Sequence, residues 1–192
     1  PTVLEFKTLT NLRMRLLNRA GQMLKETYGY VEPGAKIRVV LNALLGPDSD
    51  FLALVEVEDI LRREIGDFVL TEAEKDALLS AYDMKNNRRI SVGDFCLFIK
   101  RTPVPRRLEL INYFFNLLDS RQDGIVPCEA LKDLMRKNGS PHLKFCYEYM
   151  ESINADVHEF NNEDFFDYCT DISSEIEDDD EFERFMKGTF EY

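Results

Sequence analysis

Aspartates recur near the heads of segments about 35 residues apart, and the chemistry they suit is oxygen coordination of a hard cation. The segments LVEVEDIL, RISVGDFC, IVPCEALK and EFNNEDFF share one template. Each has an apolar anchor (Val55, Ile90, Val126, Phe160), and five positions later a second apolar residue (Ile60, Phe95, Leu131, Phe165) opens a helical pattern. Successive first anchors lie 35, 36 and 34 residues apart, a period that marks repeated architecture. An EF-hand has such a plan: a twelve-residue loop supplies oxygens from positions 1, 3, 5, 7, 9 and 12, with glycine at 6. Taking the first anchor as position 8 places the loops at 48–59, 83–94, 119–130 and 153–164.

None of these loops carries a full ligand set. The first has Asp48, Asp50 and Asp59 at positions 1, 3 and 12, but Leu52 and Ala53 stand at 5 and 6. The second keeps Asp83, Asn87 and Asp94 at 1, 5 and 12, yet puts Lys85 at 3 and Arg88 at 6, so a cation points where an anion is needed. The third keeps Asp119, Asp123 and Gly124 but has Arg121 at 3 and Ala130 at 12, with Glu129 one residue too early. The fourth offers Ile153, Ala155 and Val157 at 1, 3 and 5, with Asp156 and Glu159 off the ligand positions. The expectation is therefore no metal site, no cofactor and no catalytic residue. If one weak calcium or magnesium site survives, the first loop is its place.

The elements that must position these loops are amphipathic helices. TEAEKDALLSAY carries a capping-box pattern in Thr71 and Glu74, and PRRLELINYFFNLL, DFCLFIK and EALKDLMRK show the three-and-four spacing of a helix with one apolar face. From Thr8 to Tyr28, Leu9, Leu12, Leu16, Ala20, Met23 and Leu24 form another stripe, with the arginines expected off it. Gly29 and the Pro33-Gly34 pair end that pattern. Pro103 and Pro105 forbid a continuous helix between the second and third units. In EDDDEFERF, contiguous acids point in different directions, so a solvated face with Phe182, Phe185 and Met186 turned inward is expected rather than a metal cage.

Composition narrows the function classes. With 24 Lys and Arg against 36 Asp and Glu, the net charge of −12 argues against nucleic-acid binding. No apolar run approaches the roughly 20 residues that span a bilayer, and no signal-peptide pattern opens the chain, so a soluble, intracellular protein is expected. Four scattered cysteines without C-x-x-C spacing and only two histidines leave little material for a zinc site, a disulfide scaffold or a histidine-based catalyst. There is no phosphate loop and no nucleophile elbow, and no enzyme is expected. Charge is also uneven: residues 1–30 carry +3 and residues 147–192 carry −14.

These loops, the link KRTPVPRR and the ending FNNEDFFDYCTDISSEIEDDDEFERFMKGTFEY resemble calcyphosin and calcyphosin-like proteins over roughly residues 35 to 192. The expected fold is all-α: four EF-hand-like helix-loop-helix units in two paired lobes, with extra N-terminal and C-terminal helices. The expected division is a basic helical extension over 1–34, a first degenerate pair over 35–102, and a second over 103–192 with an acidic C-terminal helix. The resemblance implies a non-enzymatic adaptor or scaffold of the cytoskeleton, in a cilium or flagellar axoneme, with tubulin or an axonemal protein as partner. A calcium sensor with one weak site is the alternative. The basic first helix is expected to dock on an acidic surface, an external one being favoured over the chain's own C-terminal half.

Overall fold

The computed structural model describes residues 1–144, 146, 148, 149 and 158–191. Among them the chain is helical apart from two small antiparallel strand pairs, so all-α holds as the class. It divides into two compact units, 1–31 with 35–101, and 32–34 with 102–191.

In the first unit the order is α1 (Val3–Tyr28), α2 (Ala35–Leu45), β1 (Phe51–Ala53), α3 (Leu54–Ile65), α4 (Glu72–Tyr82), β2 (Arg89–Ser91) and α5 (Val92–Lys100). The Thr2 hydroxyl accepts from the Glu5 amide at 3.1 Å and the Glu5 carboxylate accepts from the Thr2 amide at 2.6 Å, a reciprocal cap that starts α1 five residues before the expected Thr8. The Thr71–Glu74 pair starts α4 in the same way. Leu9, Leu12, Leu16 and Ala20 of α1 join Ile37, Val40 and Leu44 of α2, Leu61 and Ile65 of α3, Leu78 of α4 and Phe95 and Ile99 of α5 in one apolar core.

That core overturns two expectations about α1. Its apolar stripe is buried inside its own unit, so it is not presented to an outside surface. Its arginines do not all lie off the stripe: Arg13 is 2% exposed, and its Nε donates to the Ile99 carbonyl at 2.7 Å. Arg19 Nε donates to the carbonyl of Ile65, the last residue of α3, at 2.8 Å. Arg15 donates to the Val69 carbonyl at 3.0 Å, pairs with the Glu74 carboxylate and lies over the Phe68 ring. The last carbonyls of a helix have no partners within it, and a cation placed there also meets the negative end of the helix dipole. Gly66 leaves room for this: a Cβ there would lie 2.3 Å from the Arg19 guanidinium, and its φ of 87° suits glycine.

The second unit runs α6 (Pro105–Leu118), β3 (Ile125–Pro127), α7 (Cys128–Lys137), β4 (Glu159–Asn161), α8 (Asn162–Glu175) and α9 (Asp179–Phe190), and the described residues within 143–149 are also helical. Its core gathers Phe114, Phe115, Leu131, Met135, Phe165, Ile172 and, from α9, Phe182, Met186 and Phe190, the last three at 0% exposure. Phe190 rings meet Phe114 at 6.1 Å and Phe165 at 5.2 Å. Buried Arg107 of α6 repeats the device of the first unit at the end of α8. Its guanidinium donates to the carbonyls of Ser173 and Ile176, each at 2.7 Å, and of Glu177 at 3.0 Å, and its Nε reaches Asp179 at 2.6 Å. The acids of EDDDEFERF are thus partly paired, with Arg106 on Asp180 and Glu183, while Phe185 is partly buried as expected.

Between α5 and α6 the helix is broken, as the prolines require: Arg101 takes φ 57° and Val104 precedes Pro105 at the first position of α6. The four cysteines are free and buried. Burial pushes the Cys96 and Cys146 thiols up to about 12, so they stay protonated at neutral pH.

Replacing Arg13 by Met should cost about 1–3 kcal/mol in urea unfolding, because the Ile99 carbonyl loses its buried donor. The thiols generate a second expectation. Their folded values lie above the unfolded thiol value, so their contribution to stability is complete below about pH 8.5 and is lost as pH rises toward 12. The denaturation midpoint of the wild type should accordingly fall more steeply above about pH 9 than that of a Cys96→Ala/Cys146→Ala variant.

Candidate functional site

The candidate site is the loop pair in each unit, and the strands fix the register of each loop. β1 pairs with β2 through Leu52 opposite Ile90, and β3 with β4 through Val126 opposite Phe160. All four central residues are buried. The anchors Ile90, Val126 and Phe160 therefore stand where the spacing placed them. Val55 does not: it lies in α3 and is 63% exposed, and the residue paired with Ile90 is Leu52.

This shift of three residues rewrites the first loop. With Leu52 at position 8 the loop is 45–56, and the ligand positions 1, 3, 5 and 12 fall on Leu45, Pro47, Ser49 and Glu56. Asp48 and Asp50 move to positions 4 and 6, and Asp59 lies beyond the loop in α3, paired with Arg62. In this register the three acids no longer stand at the positions counted for them in the sequence. The residue five after the anchor becomes Val57, which is 1% exposed. The signal available in the sequence was Phe51-Leu52-Ala53 with Glu56 four residues after Leu52, outweighed there by the more conspicuous aspartates.

The second and third loops have one internal geometry. The Asp83 carboxylate accepts from the amides of Asn87 at 3.1 Å and Arg88 at 2.8 Å; the Asp119 carboxylate accepts from those of Asp123 at 3.2 Å and Gly124 at 2.8 Å. At position 5 the side chains of Asn87 and Asp123 each accept from the amide two residues on, at 3.2 Å. Positions 4 and 6 take positive φ in both: Asn86 55° and Arg88 62°, Gln122 56° and Gly124 77°. The first aspartate closes the turn with the loop's own N–H groups.

The basic residues in these loops have partners of their own. Lys85 Nζ lies 4.0 Å from the Phe51 ring centroid, a cation–π contact with the facing loop, so it does not point into a cation position as the sequence suggested. Arg121 pairs with Asp123 at 3.1 Å and reaches Glu159 of β4 at 3.9 Å. Glu129 pairs with Lys132 along α7, which lowers its pKa, chiefly through the Lys132 hydrogen bond. In the fourth loop, Ile153, Ala155, Asp156 and Val157 lie outside the described residues. There Asp164 serves the cap of α8, its amide donating to Asn161 at 2.8 Å.

Numbered as in an EF-hand, the first three loops do not offer a fitting set of calcium ligands. The first loop has no side-chain oxygen at positions 1 and 3, the third has its position 5 carboxylate held by Arg121 and an alanine at 12, and the second has lysine at 3. Among the described residues no group of three His, Cys, Asp or Glu side chains is placed to share an ion, and no helix is long and apolar enough to cross a membrane. Comparison with known protein families and with curated proteins returns no match.

Arg88 takes a left-handed conformation at position 6, the place that Gly124 holds in the third loop. A left-handed conformation costs a non-glycine residue about 1–2 kcal/mol, partly offset by the backbone entropy that glycine loses on folding. Arg88→Gly should therefore raise stability by about 0.5–1 kcal/mol in chemical denaturation, whereas Gly124→Arg should lower it by a similar amount.

Proposed function

We propose that this chain is a non-enzymatic adaptor of EF-hand type, in which two paired-loop units hold their shape without calcium. The observation that supports this best is the shared hydrogen-bond pattern of loops two and three, with Asp83 and Asp119 satisfied by loop amides and basic residues at position 3. Repetition at 38, 36 and 34 residues between Leu52, Ile90, Val126 and Phe160, and the strand pairing of those four, support the EF-hand reading. A calcium sensor is the weaker reading, because the acids counted toward its one site fall off the ligand positions.

The apolar faces that paired EF-hands offer to a partner helix are covered here by the chain's own helices, α1 in the first unit and α9 in the second. A partner then meets the outer surface, and charge says which one. The first unit carries 15 basic and 14 acidic residues; residues 32–34 with 102–192 carry 9 and 22, a net −13. With its apolar stripe buried, α1 has no such stripe to offer as the docking element. The partner we propose is a cytoskeletal protein, axonemal in the concrete version that the calcyphosin resemblance supports, presenting a basic face to the second unit.

Two measurements test this. The thermal midpoint in excess chelator should match that in millimolar calcium to within about 1 °C, since an ion that bound only the folded state would raise it by mass action. The tagged chain should co-sediment with axonemal or microtubule fractions with or without calcium, and binding should weaken as salt rises. A calcium-dependent midpoint would overturn the adaptor reading in favour of the sensor, and failure to co-sediment would overturn the cytoskeletal assignment.

A further inference from the structure

We infer that Arg89 is the resident cation of the first loop, its guanidinium standing where a metal ion would otherwise join positions 7 and 12. The loop numbering rests on the EF-hand reading; the contacts do not. Arg89 lies on β2 opposite Ala53, and its Nη2 donates to the Phe51 carbonyl at 3.0 Å and sits 3.3 Å from a Glu56 carboxylate oxygen. In the corrected register these are the position 7 carbonyl and the position 12 acid, two groups that a bound calcium would draw together. The same Glu56 oxygen accepts from the Ala53 amide at 2.6 Å, so the carboxylate is held at the start of α3. Phe51 O also accepts from the Ser49 hydroxyl at 2.7 Å. Strand β1, the entry to α3 and strand β2 thus meet on one guanidinium.

An arginine suits this place for a chemical reason. Its charge is permanent and its N–H groups diverge from one planar head, so one side chain satisfies a carbonyl and a carboxylate together. Lys85 reinforces the arrangement by lying over Phe51. Lys85, which looks like a defect when the second loop is considered alone, thus acts on the first loop, and the pairing of the two loops brings it and Arg89 there. Because the cation is covalently part of the chain, the connection between β1, β2 and α3 does not respond to the concentration of a free ion. Arg121 does the comparable local work in the third loop through Asp123 and Glu159.

The full-length chain is the material for the test, with Arg89→Met, Arg89→Lys and Glu56→Gln measured for thermal midpoint in chelator and for amide exchange over 51–53 and 89–91. Arg89→Met should lower the midpoint by about 3–6 °C and speed exchange in both strands. Glu56→Gln should act in the same direction, and the double variant should fall less than the sum of the two, since the pair acts as a unit. Arg89→Lys, which keeps the charge on a compact head, should lie between wild type and Arg89→Met. Wild-type midpoint and exchange in Arg89→Met, or strict additivity with Glu56→Gln, would reduce Arg89 to a surface ion pair and overturn the inference. If Arg89→Met does not yield folded protein, the Lys and Gln variants decide it, and wild-type exchange in both overturns it. These readings are taken in chelator, so they stay separate from the calcium response of the wild type that judges the adaptor reading.

Discussion

A helix ends in carbonyls that have no partner within it, and in this protein buried and half-buried arginines supply several of the missing donors. Arg13 and Arg19 meet carbonyls at the ends of α5 and α3, and Arg107 meets three around the end of α8. Burying a guanidinium is costly unless its N–H groups are met, and helix ends provide acceptors already grouped and carrying partial negative charge. The requirement works both ways: the arginine fixes where the next helix lies, and the helix end fixes the arginine. In the first unit this exchange ties α1 to the ends of α3 and α5, and in the second it ties α6 to the end of α8.

The loops follow the same rule at smaller scale. A turn of this shape concentrates acceptors, and they must be met by an ion, by water or by the chain itself. Here the chain meets many of them, with backbone amides on Asp83 and Asp119, with Arg89 on Glu56 and the Phe51 carbonyl, and with Arg121 on Asp123. A contact made by a tethered cation is permanent, whereas one made by a free ion depends on that ion's concentration.

Much of the plan was legible in the sequence because it is periodic. The apolar spacing of the helices, the capping pair at Thr71 and Glu74, the inward Phe182 and Met186, the break at Pro103 and Pro105, and three of four loop anchors depend on local chain geometry, which a period reports directly. The first anchor was misread because Val55 and Leu52 are both apolar residues near the start of α3, and the neighbouring aspartates favoured the wrong one. Only the strand opposite decides between them, and it chooses Leu52 because that residue faces Ile90.

What the sequence determined by itself was where most of the helices lie and which of their faces are apolar, since both follow from residue types at fixed spacing. Tertiary structure decided where the charges went. Arg13 looked like a surface residue until a helix terminus 86 positions away supplied its acceptor, and Lys85 looked like a fault in its own loop until pairing set it over the Phe51 ring. A charge is stabilised by whatever lies within a few ångströms of it, and for these side chains that neighbour is distant in sequence. The burial of α1 in the first unit followed for the same reason: its stripe declared that it must be covered, but only the folded chain supplied the surface that covers it.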